Sequence, residues 1–411
     1  MNWHKEKLGA HCEITSSKRI FYSEYVDSGI PFYRSKEIIE LSQGQSISEP
    51  LYISQQKYEE IKSIFGVPSP GDMLLTSVGT IGVPYIVTSD ERFYFKDGNL
   101  TWFRNFDNSL LSKYLYYWIC SSDGYGILNN TTIGSSQKAL TITSLKKIEL
   151  PIPPIDVQYR IVDILSAYDS LIENNQKQIK LLEEAAQRLY KEWFVNLRFP
   201  GYENVKIIDG VPEGWEKKNL GSLIEVVRGR SYSSDELSET GGVLMVNLSN
   251  IRPFGGYNRA QEKHYNGKYT QEQTVKSYDL IMGLTDMTQE RRTVGRVAIV
   301  PELRKEAIIS MDLIKLVPKE GSSLFFYALL SFGGYSEVIS RFANGTNVLH
   351  LRPDVLDVVD VLSPPKVLQE NYSDFFKNIL NKINDLQDQI LLAIEARDRL
   401  LPKLMSGEIE L

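Results

Sequence analysis

Histidines, cysteines and clustered carboxylates most often carry catalysis, and in this sequence they are scattered. His4, His11, His264 and His350 are dispersed over 411 residues, which suits neither a metal-ligand spacing nor a base–nucleophile arrangement. An isolated histidine is more often a surface or packing residue. Cys12 and Cys120 stand far apart in no metal spacing and read as reduced thiols of an intracellular, cytoplasmic chain. The sequence contains no Gly-x4-Gly-Lys-Ser/Thr phosphate loop. Ile152-Pro153-Pro154-Ile155 lacks both the polar and the aromatic end of an Asn/Asp-Pro-Pro-Tyr methyltransferase motif. No carboxylate cluster with a lysine suggests a nuclease. The expectation is a chain with no catalytic or metal site and no cofactor of its own.

Composition sets the frame for the elements that position the remaining polar residues. A hydrophobic content of 42% and a charged content of 24% are ordinary for soluble domains. The greasiest stretch, Leu324 to Leu330, is too short to span a bilayer, and Met1-Asn2-Trp3-His4-Lys5 is not followed by a secretory apolar region. No membrane partner is expected. The net charge of −6 argues mildly against a free-standing nucleic-acid binder, which usually carries a basic footprint.

An internal repeat is the strongest signal. Trp3-His4-Lys5-Glu6-Lys7-Leu8-Gly9 returns as Trp215-Glu216-Lys217-Lys218-Asn219-Leu220-Gly221, 212 residues later. Gly71-Asp72-Met73-Leu74 returns as Tyr278-Asp279-Leu280-Ile281 with a shift of 207, and Thr80-Ile81-Gly82 as Thr293-Val294-Gly295 with a shift of 213, so the loops between them differ in length. Gly134 to Leu140 matches Gly345 to Leu351, and Pro153-Pro154 with Gln158 matches Pro364-Pro365 with Gln369. The chain reads as one unit used twice: a globular half, a Pro-Pro hinge and a helix. Short β-branched runs such as Ile30 to Tyr33, Met73 to Thr76, Val83 to Val87 and Val297 to Val300 predict strands. Ser112 to Cys120 and Leu324 to Ile339 predict helices. Each half is therefore α+β with a mainly antiparallel sheet. The segments are 1–154, 155–199, 200–365 and 366–411.

After each Pro-Pro, apolar residues recur at alternating spacings of four and three, a heptad seam. The first runs Ile161, Leu165, Tyr168, Ile172, Asn175, Ile179, Leu182, Ala186, Leu189, Trp193. The second runs Tyr372, Phe376, Ile379, Ile383, Leu386, Ile390, Ala393, Arg397, Leu400, Leu404. Two matched seams predict two long helices packed on each other. If both units pack alike, a pseudo-two-fold axis makes the helices antiparallel, and the halves sit at opposite ends of a rod about 50 Å long. Asn175 reads as a tolerated polar residue in the seam, and Pro402 as the end of the second helix or a kink in it.

The repeated Trp-x4-Leu-Gly openings, the Gly-Asp-Met-Leu-Leu and Tyr-Asp-Leu-Ile-Met strands, Thr-Ile-Gly with Thr-Val-Gly, and Leu-Pro-Ile-Pro-Pro-Ile-x-Val-Gln before a long helix resemble the target-recognition domains of Type I restriction-modification specificity subunits. The resemblance spans essentially the whole chain. It implies two recognition domains, each reading one half of a bipartite double-stranded DNA target, with helices that set the unread gap. It further implies two modification subunits that carry S-adenosylmethionine and methylate adenine, and an ATP-driven restriction subunit. The helical docking surface would centre on Ile161, Leu165, Ile172, Ile179, Leu182, Leu189, Phe376, Ile383, Leu386, Ile390 and Leu400. A coiled-coil adaptor with peptide-binding halves is the alternative that repeat and heptads alone would also fit.

Reading DNA needs Arg or Lys for guanine and phosphate, Asn or Gln for adenine, and Ser or Thr as adaptable partners. Loops beside the predicted strands supply them: Lys18, Arg19, Arg34, Lys36, Ser77, Thr80, Gln137 and Lys138 in the first half. In the second they are Arg228, Arg230, Asn247, Asn250, Arg252, Arg291, Arg292, Asn347 and His350. Lys18-Arg19, Arg228 with Arg230, and Arg291-Arg292 are the leading clusters. Residues 1–155 carry 15 basic and 16 acidic groups, and residues 200–365 carry 19 and 21. Phosphate neutralisation by this chain alone is therefore expected to be modest, with partner subunits supplying much of the clamp.

Overall fold

The strands that form first in any reading of this chain are its fully apolar runs. Met73–Thr76 and Leu280–Gly283 are buried at every position, as expected of central strands with both faces covered. In a computed structural model of the chain each is the third strand of a four-stranded antiparallel sheet. The structure describes residues 3–44, 47–88, 91–134, 138–259, 263–303 and 305–411. The chain divides into two compact units: Met1–Gln176 with Asp388–Leu411, and Lys177–Gln387. Each long helix contributes to both.

In the first unit the sheet order is Glu13–Thr15, Leu100–Arg104, Met73–Thr76, Pro84–Ile86. A second small sheet holds Tyr25–Val26, Tyr52–Ile53, Ile30–Tyr33 and Tyr94–Phe95, the last two strands pairing in parallel. Helices Ser112–Cys120 and Ser122–Thr131 complete the half. Leu8, Ile14, Met73, Phe103, Tyr114, Trp118 and Leu150 form its main core, into which Ile161, Leu165, Leu401 and Leu404 of the long helices project.

The second unit repeats this plan. Its sheet runs Ile224–Arg228, Leu313–Pro318, Leu280–Gly283, Val297–Ile299. A five-stranded sheet contains the equivalent parallel pair, Val243–Val246 with Ala307–Ile309. The predicted helix over Leu324 to Ile339 is two helices, Ser323–Phe332 and Tyr335–Ser340. Gly334 between them takes φ 82°, a left-handed conformation that ends the first helix.

The repeated motifs acquire physical reasons. The strand after each Trp pairs antiparallel with the strand before each Pro-Pro: Lys5–Lys7 with Glu149–Pro151, and Glu216–Asn219 with Asp360–Ser363. Both ends of each half thus meet at the start of a long helix. The glycines of Thr-Ile-Gly and Thr-Val-Gly, Gly82 and Gly295, have φ 85° and 72°. A Cβ on Gly295 would also lie 2.9 Å from the Ser340 backbone.

The long helices span Ile155–Tyr190 and Lys366–Ser406. Within the first unit Asp169 meets Arg397 and Asn175 meets Gln389, so there the two stretches run antiparallel, and within the second Ala186 O accepts from Tyr372 Oη. Ile161, Leu165, Ile172, Ile179, Phe376, Ile383 and Leu386 are buried, while Leu182, Ile390 and Leu400 are half-buried. Three details differ from the sequence reading. The seam does not continue through Leu189 and Trp193, which are half-buried; after Ala186 it steps by four to Tyr190 and Phe194, and Lys191–Val195 is a π turn. Asn175 is not merely tolerated: it is 2% exposed and its Nδ2 donates to Gln389 Oε1 at 3.0 Å. Pro402 does not end the second helix, which runs on to Ser406 with the proline ring exposed.

Candidate nucleic-acid interface

The strand registers decide which loops share a neighbourhood. In the first unit Thr15 pairs with Trp102, and Thr76 with Leu100. The loops after Thr15 and after Thr76 therefore leave the same end of one sheet. Ser77 N donates to Asn99 O at 2.8 Å and Gly98 N to Ser16 Oγ at 3.4 Å, tying both to the turn before Leu100. In the second unit Arg228 pairs with Ile314, and Gly283 with Leu313. Gly229 N donates to Leu313 O and Leu284 N to Asp312 O, so the same three segments converge.

A fourth segment is stitched to each cluster. Val78 bridges to Ala139, and Leu140 N donates to Ser77 O at 2.9 Å. Correspondingly Thr285 pairs with His350 and Asp286 with Leu349, while Leu351 N donates to Leu284 O. Ser77, Thr80 and Lys138 thus occupy in the first unit the place that Arg291, Arg292, Asn347 and His350 occupy in the second. Lys18-Arg19 and Arg228 with Arg230 are likewise equivalents at the adjoining strand. Gln137 lies outside the described residues.

The sequence-selected residues do not all face solvent. Lys18 is exposed with its Nζ 4.2 Å over the Phe65 ring, and Arg19 pairs with Asp97 at 2.9 Å. Thr80, Lys138, Arg228, Arg292, Asn347 and His350 are exposed. Lys36 pairs with Glu49 at 3.1 Å. Arg34 is held by buried Glu37 at 2.6 Å, a hydrogen bond that raises its pKa further above the ordinary guanidinium value. Arg230 is half-buried with its Nε on Tyr265 Oη at 3.3 Å. Arg291, at φ 54°, donates from Nε to Ser340 O at 3.1 Å.

Others serve the fold. Ser77 is buried and shares a hydrogen bond of 2.6 Å with Thr101. Asn247 and Asn250 are buried and cap the turn Leu248–Asn250, with Asn247 Oδ1 accepting from Ser249 N and Asn250 Oδ1 from Asn247 N. Their amides are thereby committed to the backbone rather than free for a base edge. Arg252 donates to Glu183 of the first long helix at 2.8 Å and so joins the globular part of its unit to the helix.

Exposed apolar side chains at the same places carried no signal in the sequence. Met287, Met311 and Phe342 are 82%, 54% and 49% exposed: Met287 shares its loop with Arg291 and Arg292, Met311 N donates to Arg230 O, and Phe342 lies two residues after Ser340, which accepts from Arg291. Phe21 and Tyr22, separated from Lys18-Arg19 by buried Ile20, are 62% and 87% exposed. Spacing marks an apolar stripe on an element, but an isolated apolar residue in a loop has no period to betray its exposure. Among the described residues no three His, Cys, Asp or Glu gather as metal ligands. No described helix is long and apolar enough to cross a membrane.

Comparison with known proteins places these repeated ends in context. The family model "Type I restriction modification DNA specificity domain" matches twice, over residues 1–184 and 212–396. The Type I restriction enzyme MjaIX specificity subunit of Methanocaldococcus jannaschii is 27% identical over 82% of this chain and 78% of its own length. A putative type I restriction enzyme specificity subunit of Haemophilus influenzae is 32% identical over 45% of each chain. A crystal structure of the Type I restriction-modification S subunit from M. genitalium has the same fold, with a TM-score of 0.63 at 15% identity over 98% of this chain and 96% of that one. Since its two repeats account for most of its length in that match, the chain belongs to the Type I restriction-modification DNA specificity family.

Proposed function

We propose that the chain reads a bipartite double-stranded DNA target, one half-site with the loop-bearing sheet end of each unit, and performs no catalysis itself. The observation that carries this reading is the equivalence of the two ends: in both units the same four segments, rich in Lys, Arg, Asn and Ser/Thr, converge at one end of one sheet. Hydrogen-bonding side chains on short loops anchored by strands suit base-edge and phosphate contacts. The chemistry then belongs to partners: two modification subunits that bind S-adenosylmethionine and methylate adenine, and restriction subunits that bind ATP. The paired long helices would dock the modification subunits. The complex would work in the cytoplasm, where its DNA lies.

The test is co-expression with the methyltransferase subunit of the same locus, in a host lacking adenine methylation, followed by mapping of methylated adenines. Two short defined sequences around a fixed unread gap are the expected outcome. A stable complex of the two proteins that methylates nothing would instead favour the adaptor reading.

A further inference from the structure

The two reading ends are not equal, and the difference lies in one loop. Between the strand and the Thr-x-Gly motif the first unit has Ser77-Val78-Gly79 after Thr76, whereas the second has the longer run Leu284 to Arg292 after Gly283. A long polar loop at a surface is ordinarily mobile. This one is organised around a single buried carboxylate. Asp286 is 2% exposed. Its Oδ1 accepts from Thr288 N and Thr288 Oγ1, both at 2.7 Å. Its Oδ2 accepts from Thr293 N at 2.5 Å, Thr293 Oγ1 at 3.0 Å and Val294 N at 3.3 Å. One side chain thus closes the loop on both sides.

What the closure presents is specific. Arg291 is turned inward onto Ser340 O, and Gln289 Nε2 donates to Thr346 O at 2.9 Å. Met287 is left projecting, 82% exposed, between the two hydrogen-bonding threads that Asp286 and Thr288 make. A single exposed apolar side chain is ordinary on a protein surface; what sets Met287 apart is its place on an ordered loop at the reading end, where apolar contact with a thymine methyl group is one of the direct readout contacts of the major groove. Arg292, at the end of the same loop and exposed, pairs with its neighbour Glu290, a surface pair that can exchange for DNA.

Resting on the DNA-reading function above, we infer that Asp286 is a positioning residue that holds the Met287–Arg292 loop as a preformed reading element of the second unit, with Met287 as an apolar base contact on a loop that in the first unit shrinks to Ser77-Val78-Gly79. The carboxylate itself does not face DNA, because its lone pairs are filled by the loop.

The experiment uses the full chain in complex with its methyltransferase subunit and maps methylated adenines for the wild type, Asp286→Asn and Met287→Ala. Met287→Ala alters an exposed side chain and leaves the fold intact. Expected is a loss of discrimination, by tenfold or more at one or two positions, confined to one half of the motif and to the same half in both variants. The other half would stay as in the wild type, a pattern that a general loss of stability cannot produce. An unchanged motif for Met287→Ala, or relaxation in both halves at once, overturns the inference. Absence of any bipartite motif for the wild type would instead sink the DNA-reading function itself.

Discussion

At the scale of single residues, polar groups in apolar places are the informative ones. Asn175 sits where a heptad wants an apolar side chain, and its amide is satisfied by Gln389. A hydrogen bond between two neutral side chains contributes roughly 0.5–1.5 kcal/mol. A double-mutant cycle of Asn175→Ala and Gln389→Ala is therefore expected to give a coupling energy of about 1 kcal/mol in denaturant unfolding; a coupling near zero would return Asn175 to the status of a tolerated residue. Asp286 makes a second prediction through pH. Burial by itself would raise its carboxyl, but hydrogen bonds from Thr293 and Thr288 outweigh burial and hold it below the ordinary carboxylate range. A depressed native pKa adds stability that is complete above the unfolded value of about 4 and is lost as pH falls through the native value. The stability advantage of the wild type over Asp286→Asn should therefore be constant from neutral pH down to about 4 and shrink below it. An advantage undiminished at pH 3 would show that the carboxylate is not its source.

Among the elements, the long helices and central strands were the most legible from sequence, because the helices bear a heptad period and the strands are short continuous buried runs. The heptad reading located both helices and most of their buried positions. It failed at Leu189 because residues three and four apart share one helix face, so the buried face can step from Ala186 to Tyr190 as well as to Leu189, and the spacing of apolar types does not choose between them. That Asn247 and Asn250 are buried and Arg252 is engaged by Glu183 was not legible for a related reason: residue type shows what a side chain can bond, whereas the partner is set by folding. The Pro-Pro-x3-Gln motif shows the converse. Gln158 is 0% exposed; its Nε2 donates to Ser109 O at 2.7 Å and Pro153 O at 2.9 Å, and its Oε1 accepts from Leu111 N at 2.9 Å. It clamps the helix start to the globular half. Gln369, its counterpart, is half-buried and donates to Pro364 O at 2.8 Å. Stranding buried partners costs about 1–3 kcal/mol each. Gln158→Ala should lower the unfolding midpoint clearly more than Gln369→Ala, and equal effects would contradict this account of the hinge.

Over the whole molecule, charge sets how the chain can hold DNA. Residues 1–155 carry 15 basic and 16 acidic groups and residues 200–365 carry 19 and 21, so neither half offers the surplus that neutralises a phosphate backbone. Several of the candidate basic side chains are already paired, Arg19 with Asp97 and Arg34 with Glu37 among them. The logarithm of affinity falls against the logarithm of salt concentration with a slope of roughly −0.9 per phosphate neutralised. The purified chain is expected to bind its target with a shallow slope, no steeper than about −3 to −4. Adding the methyltransferase subunits should steepen the slope by several units while the sequence preference stays the same, since on the proposed function base contacts would come from this chain and backbone contacts mostly from its partners. Fluorescence anisotropy across a salt series, on matched and scrambled duplexes, separates the two contributions. A slope already near −8 for the chain alone would place the electrostatic clamp here, and the near-neutral halves would then have to hide strongly basic faces opposite acidic ones.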